Sequence, residues 1–205
     1  MVRACTHANC RWDERHGERF SRWIRRVWGR HHDQFPVDTY QTGSGTSSNM
    51  NMNEVLGNLA TAKRGDTVHP NDHVNMGQSS NDVFPSAVHC AALGEIARDL
   101  LPALERLAAS LERKAFDFDD IVKSGRTHLQ DAVPITLGQE FSGYASSIAH
   151  GADDVERAAT QLLELNLGAT AVGTGLNAGD DYMTLAIGFL AQETGKPVVP
   201  AANRF

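Results

Sequence analysis

The chain has 205 residues, 41% of them hydrophobic and 7% aromatic, which is enough for one sizeable core or two small ones. No apolar run approaches the length that spans a bilayer, and the N-terminus lacks the apolar stretch of a secretory signal, so a membrane-embedded or exported protein is disfavoured and a cytoplasmic one is the default. Cys5, Cys10 and Cys90 are an odd, unevenly spread set, read as reduced thiols rather than a disulfide framework.

The net charge of −6 hides an asymmetry. In residues 1–30 eight arginines face three acids, giving that segment +5 and leaving −11 for the rest, and Trp12, Trp23 and Trp28 all lie there. A basic, Trp-rich head on an acidic body fits a nucleic-acid arm, a membrane-surface helix or a presequence. The segment has no clear 3.6-residue period and contains acids that a presequence avoids, so residues 1–30 are assigned as an atypical basic segment outside the fold, with neither nucleic acid nor membrane as a partner. Cys5, His7 and Cys10 lack a second ligand pair at zinc-finger spacing, and no metal is assigned.

After Pro36 the pattern becomes orderly. Val37 to Tyr40 is β-prone, Thr42 to Asn49 is a block of small polar residues, and Met50 to Ala62 is helical in character. Lys63 to Asn75 reads as a loop, marked by Gly65-Asp66 and Pro70-Asn71-Asp72. A second polar block, Gln78 to Asp82, precedes a helix in which Ile96, Leu100, Leu104, Leu107 and Leu111 recur at steps of three and four. Asn81 or Asp82 is suited to cap it, Pro85 fits its first turn, and Pro102 predicts a kink or a division into two helices. The third block, Gly125 to Asp131, leads into a long helix carrying Leu137, Phe141, Tyr144 and Ile148 and continuing through Val155, Leu162 and Leu165. Gly168, Gly173, Gly175 and Gly179 make a loop, and Tyr182 to Glu193 returns to helix. With no alternation of β-branched residues, the expected class is all-α, a long-helix bundle with polar loops at its ends.

Each polar block has two explanations. Gly43-Ser44-Gly45-Thr46 before a helix is a flexible turn with a cap, or a set of backbone and hydroxyl donors for a carboxylate; it is not a Walker loop, because no Gly-Lys-Ser/Thr follows. Ser79-Ser80-Asn81 has the same two explanations. His128, flanked by Thr127, Gln130 and Asp131, is the acid/base candidate, since neighbours of this kind set an imidazole's tautomer and pKa. His69 and His73 stand four apart, but Pro70 and the missing Glu of His-Glu-x-x-His argue against a zinc site.

The three blocks, in this order, resemble those of the class II fumarases in the fumarase/aspartase superfamily. The resemblance runs from about His31 to Phe205 and rests on Gln41 to Asn51, His69 to Asn75, Gln78 to Pro85, Gly125 to Asp131 and Gly173 to Asn177. Aspartases typically carry Gln where His128 stands and Gly-Ala-Gly-Thr where Gly43-Ser44-Gly45-Thr46 stands, so both positions look like fumarase. The resemblance implies a lyase that reversibly adds water to fumarate to give L-malate, in the tricarboxylic acid cycle, without metal or organic cofactor. It implies Ser44, Gly45, Thr46, Ser79, Ser80 and Asn81 as the substrate-binding set, and Thr127 with His128 as the catalytic pair. His69, Pro70, Asn71 and Asp72 would form the family's secondary anion site, and the assembly would be a homotetramer whose sites combine residues from several subunits.

The resemblance also implies departures. The family's flexible loop Gly-Ser-Ser-x-Met-Pro-Gly-Lys-x-Asn-Pro, which supplies the serine taken as base, lies beyond the point matched by Phe205, and residues 1 to about 30 match nothing in the family's N-terminal domain. Asp66 stands where a basic residue often precedes the secondary site. The expectation is a class II fumarase truncated at both ends and impaired for that reason. Residues 31–81 would form a partial N-terminal domain and residues 82–205 a truncated central helical domain. An aspartase-like ammonia lyase, or a silent helical fragment that assembles with intact subunits, are the alternatives.

Overall fold

A computed structural model describes residues 29–38, 40 and 45–205. The basic head up to residue 28, and the front of the first polar block with Ser44, lie outside the described residues. The described residues form two compact units, one of those up to residue 90 with 163–205 and one of residues 91–162. They are mainly helical, as the sequence predicted, with two small two-stranded sheets. No helix among the described residues is long and apolar enough to cross a membrane.

In the first unit, helix α1 (Thr46–Arg64) begins at Gly45, whose φ of 72° suits a residue without a side chain, and stops at Gly65, whose N–H bonds to Thr61 O. A Cβ on Gly45 would lie 2.2 Å from the Phe84 ring, so only glycine permits this approach. Gly57, in the middle of α1, leaves room for the backbone of Val68 and Pro70, and so seats the π-helical turn Pro70–Val74 on the helix. Helix α2 (Ser80–Glu95) starts in this unit. Later come α5 (Tyr182–Thr194) and the parallel strand pair β3 (Glu164–Leu165) and β4 (Val199–Pro200). Val55, Leu165, Ala169, Ile187 and Val198 are its buried apolar residues, and Asn49, Asn53, Asp82, Ser86 and Thr170 are buried with them.

The second unit contains the end of α2, helix α3 (Leu101–Asp117), a hairpin of β1 (Val122–Thr127) and β2 (Gln130–Thr136), and helix α4 (Leu137–Ala159). The division foreseen at Pro102 takes the form of a π-helical turn, Ile96–Leu100, in which Leu101 N–H reaches back to Ile96 O. Widening the helix one turn before a proline accommodates its ring without breaking the rod. Gly138 allows α4 to pass close to the end of α3, where a Cβ would lie 2.4 Å from Ala115 O. Phe118, Phe141 and Tyr144 then stack edge to face with centroids 5.4 and 5.9 Å apart. A capping box starts α4: Gln139 N–H donates to Thr136 Oγ1, and Thr136 N–H donates to Gln139 Oε1.

Several sequence expectations are corrected. Val37 to Tyr40 forms no strand among its described residues. Pro85 lies inside α2, past its first turn. The helix expected to run through Leu165 ends at Ala159, passes into a 3-10 turn (Thr160–Leu163) and gives way to β3. The third polar block is a β-hairpin rather than an open loop; because most of its residues are exposed on both faces, it lacks the alternation that betrays a half-buried strand.

Candidate functional site

In the first unit, two polar blocks meet through a small network of amides. Asn49 and Asn53, one turn apart on α1 and both buried, each donate from Nδ2 to Asn75 Oδ1, at 3.3 and 3.0 Å. Asn49 Nδ2 also lies 3.0 Å from Ser80 Oγ, which accepts from it. Asn49 N–H bonds to Gly45 O, so the start of α1, with Gly45 and Thr46, is one turn from the residue that holds Ser80.

The segment Ser79-Ser80-Asn81 sits at the N-terminus of α2. The cap is Ser79, not Asn81 or Asp82: its Oγ accepts from Asn81 N–H at 3.2 Å, while Asp82 Oδ1 accepts from Ser79 N–H at 2.9 Å. The returning bond is that of a capping box, with an aspartate as the acceptor, while the hydroxyl caps the second helical N–H rather than the third. Ser79 and Ser80 hydroxyls thus each accept one bond from the protein and keep a proton to donate. Asn81 Nδ2 donates to Ala171 O at 3.0 Å, which fixes the plane of its amide. Hydroxyls and an amide at a helix N-terminus form a donor set suited to a carboxylate.

Asp82 is fully buried, and its second oxygen accepts from Gly168 N–H at 2.8 Å and Thr170 N–H at 2.9 Å. The sequence offered Asp82 only as a cap; the Ser-x-x-Asp spacing signalled the reach back to Ser79, but nothing local signalled the loop 86 residues away. Nearby, burial pushes the Tyr182 phenol above its ordinary pKa, opposed by a hydrogen bond with Gln78 and reinforced by the charge of Asp82.

The turn His69-Pro70-Asn71-Asp72 folds on itself. His69 Nδ1 accepts from the N–H groups of Asn71 and Asp72, both at 3.2 Å, and stands 3.4 Å from Asp72 Oδ2. His73 Nδ1 accepts from His69 N–H at 2.8 Å. The two amides that would greet an anion are therefore held by the imidazole of His69 in this arrangement, and an anion there would have to displace that ring. Arg64 lies 3.9 Å from Asp66 with both side chains exposed.

In the second unit, Thr127 and His128 sit at the tip of the β1–β2 hairpin and are exposed. The turn residues His128 and Leu129 have φ of 49° and 62°, the pair of left-handed conformations of a type I′ turn, here without the usual Asn-Gly. Thr127 pairs with Gln130, and Arg126 Nε lies 3.2 Å from Asp131 Oδ1 across the hairpin. Gly125, buried at the bulge between Ser124 and Arg126, bends β1 just before the tip. The imidazole is thus displayed from a short, strained turn rather than packed as a core histidine.

A family model described as lyase matches residues 3–205, so its match extends into the head that the sequence set apart. Class II fumarate hydratase of Ralstonia nicotianae is 56% identical over 185 residues, covering 87% of this chain and 40% of that protein. Its counterpart from Halobacterium salinarum is 55% identical over 184 residues, covering 87% and 39%. The crystal structure of recombinant class II fumarase from Schistosoma mansoni matches with a TM-score of 0.77 at 40% identity, over 88% of this chain and 42% of that one. The chain thus spans about two fifths of the length of these relatives, and by these matches it belongs to the lyase family, among the class II fumarases of the fumarase/aspartase superfamily.

Proposed function

We propose that the chain carries part of a fumarate hydratase site, for the reversible addition of water to fumarate to give L-malate without metal or organic cofactor. The observation that carries this is the Ser79-Ser80-Asn81 segment, whose side chains are locked from behind by Asn49 and Ala171 while two hydroxyl protons stay available. In the dehydration direction a weakly acidic C–H beside a carboxylate is broken, and charge accumulates on that carboxylate. Donors already fixed in place stabilise it without reorganising. Gly45 and Thr46, with Ser44 ahead of them, belong to the same binding set. Thr127 helps hold substrate, and His128 takes or returns the proton of the water or hydroxyl, a task suited to an imidazole near neutral pH. His69, Pro70, Asn71 and Asp72 form the secondary anion site, reached once the His69 ring swings off the turn amides.

The proposal extends to a homotetramer with sites shared between subunits, which would cover Val88, Leu107, Tyr144 and Leu185, apolar side chains that are about half exposed here. It also includes a cytoplasmic location, the tricarboxylic acid cycle as setting, and residues 31–81 and 82–205 as portions of the N-terminal and central helical domains of a whole fumarase.

The test is a chimera in which residues 31–205 replace the matching segment of the Ralstonia nicotianae relative. Fumarate should form from malate, followed by its ultraviolet absorbance, and no ammonia should be released from aspartate. A folded, tetrameric chimera without malate turnover would overturn the proposal.

A further inference from the structure

We propose that Asp82 is the positioning residue of the Ser79–Asn81 donor segment, its buried carboxylate clamping that segment to the loop Gly168–Ala171. The inference rests on the reading of Ser79–Asn81 as a carboxylate-binding segment.

Three backbone amides converge on two oxygens of a side chain with no exposed surface: Ser79 N–H on Oδ1, Gly168 N–H and Thr170 N–H on Oδ2. Such a donor set suits a two-oxygen carboxylate rather than an amide, because an asparagine has one acceptor oxygen and would turn its own N–H₂ toward an N–H. Ser86 Oγ, donating to Asp82 O at 2.7 Å, ties down the same residue from its backbone.

The loop on the other side of the clamp is under strain. Thr170 is a β-branched residue at φ 61°, buried, with an Oγ1 that has no hydrogen-bond partner. Gly168, at φ 91°, passes so close to Met183 that a Cβ would lie 2.9 Å from it. A strained, poorly satisfied loop persists where its surroundings over-determine it, and here the bonds to Asp82 supply that constraint. Ala171, the next residue, is the one whose carbonyl orients the Asn81 amide. One carboxylate therefore fixes both the backbone of Ser79 and the loop that orients Asn81, and the tolerance for placing catalytic donors is a fraction of an ångström.

The experiment compares the fumarase chimera carrying residues 31–205 with its D82N variant and with the double variant D82N/T170G, in which glycine relieves the left-handed strain and removes the unpartnered hydroxyl, so that a folded protein is available if D82N alone is not. Residue-resolved amide exchange and titration with fumarate, read at Ser80 and Asn81, are measured on each. Exchange at Ser79, Gly168 and Thr170 should rise by about tenfold or more relative to amides of α1 and α5, the scale of losing one charge-assisted hydrogen bond. Fumarate affinity should fall by a similar factor. Unchanged exchange at those three amides overturns the clamp. Faster exchange with unchanged fumarate affinity overturns the positioning role, leaving Asp82 a structural residue. If the unmutated chimera does not respond to fumarate, the carboxylate-binding reading fails together with the positioning role, while the exchange data still decide whether the clamp exists.

Discussion

Asn49 Nδ2 donates to Ser80 Oγ across 3.0 Å, joining the first turn of α1 to the first residue of α2. The same amide also meets Asn75 Oδ1, which keeps Asn53 Nδ2 as a second donor, so removing it leaves the half-buried Ser80 Oγ without its donor and Asn75 with one bond fewer. Asn49→Ala should therefore cost about 1–3 kcal/mol, the range for leaving buried polar groups unpaired. Urea unfolding midpoints measure this, and a loss below about 0.5 kcal/mol, the size of an ordinary surface substitution, would show that the network contributes little.

Gly45 and Phe84 are predicted to be strongly coupled. A methyl at position 45 would meet the ring at 2.2 Å and would also force alanine into φ 72°. Gly45→Ala should destabilise by about 2 kcal/mol, combining overpacking with the left-handed penalty. In a Phe84→Leu background the overpacking part should shrink while the backbone part stays, which a double-mutant cycle separates. Additive effects would mean that the ring moves aside freely.

The long helices were legible because Leu104, Leu107 and Leu111, or Leu137, Phe141 and Tyr144, repeat at helical spacing and glycine-rich or polar segments interrupt them. The hairpin was not, since its strands hide little apolar surface and its turn is His128-Leu129, without the Asn or Gly that usually marks a type I′ turn. Of the candidate site, the donor residues were visible as a cluster of hydroxyls and amides. Their supports were not: Asn75 and Ala171 contribute a side-chain oxygen and a backbone carbonyl whose use depends on contacts 22 to 90 residues away in sequence.

Glu140 gives a pH dependence with a definite sign. The hydrogen bond from Lys123, and then that from Tyr144 Oη at 2.8 Å, hold its carboxyl below the ordinary value of 4.5. A depressed carboxyl contributes stability that is present above the unfolded-state value and is lost as pH falls through the lower, folded one. The wild-type melting temperature should thus decline more steeply than that of Glu140→Gln as pH drops below about 4.5. Tyr144 has the opposite sense: its bond to Glu140 raises the phenol above 10.0, so its contribution is present below that pH and fades above it. Parallel melting curves of the two proteins below pH 4.5 would refute the Glu140 assignment.

His128 and Leu129 allow the turn to be separated from the chemistry. Both hold left-handed φ values, which asparagine and glycine adopt at low cost. Leu129 is also 92% exposed, so Leu129→Gly removes almost no packing and should stabilise the second unit by about 0.5–1 kcal/mol. His128→Asn should leave stability unchanged or slightly raised, because asparagine suits the same turn. In the fumarase chimera, however, it deletes the proposed proton-transfer group and should lower malate turnover by about 10²–10⁴-fold. His128→Asn with intact stability and intact turnover would reduce the histidine to a turn residue. Loss of both together would mean that its imidazole supports the hairpin rather than the reaction.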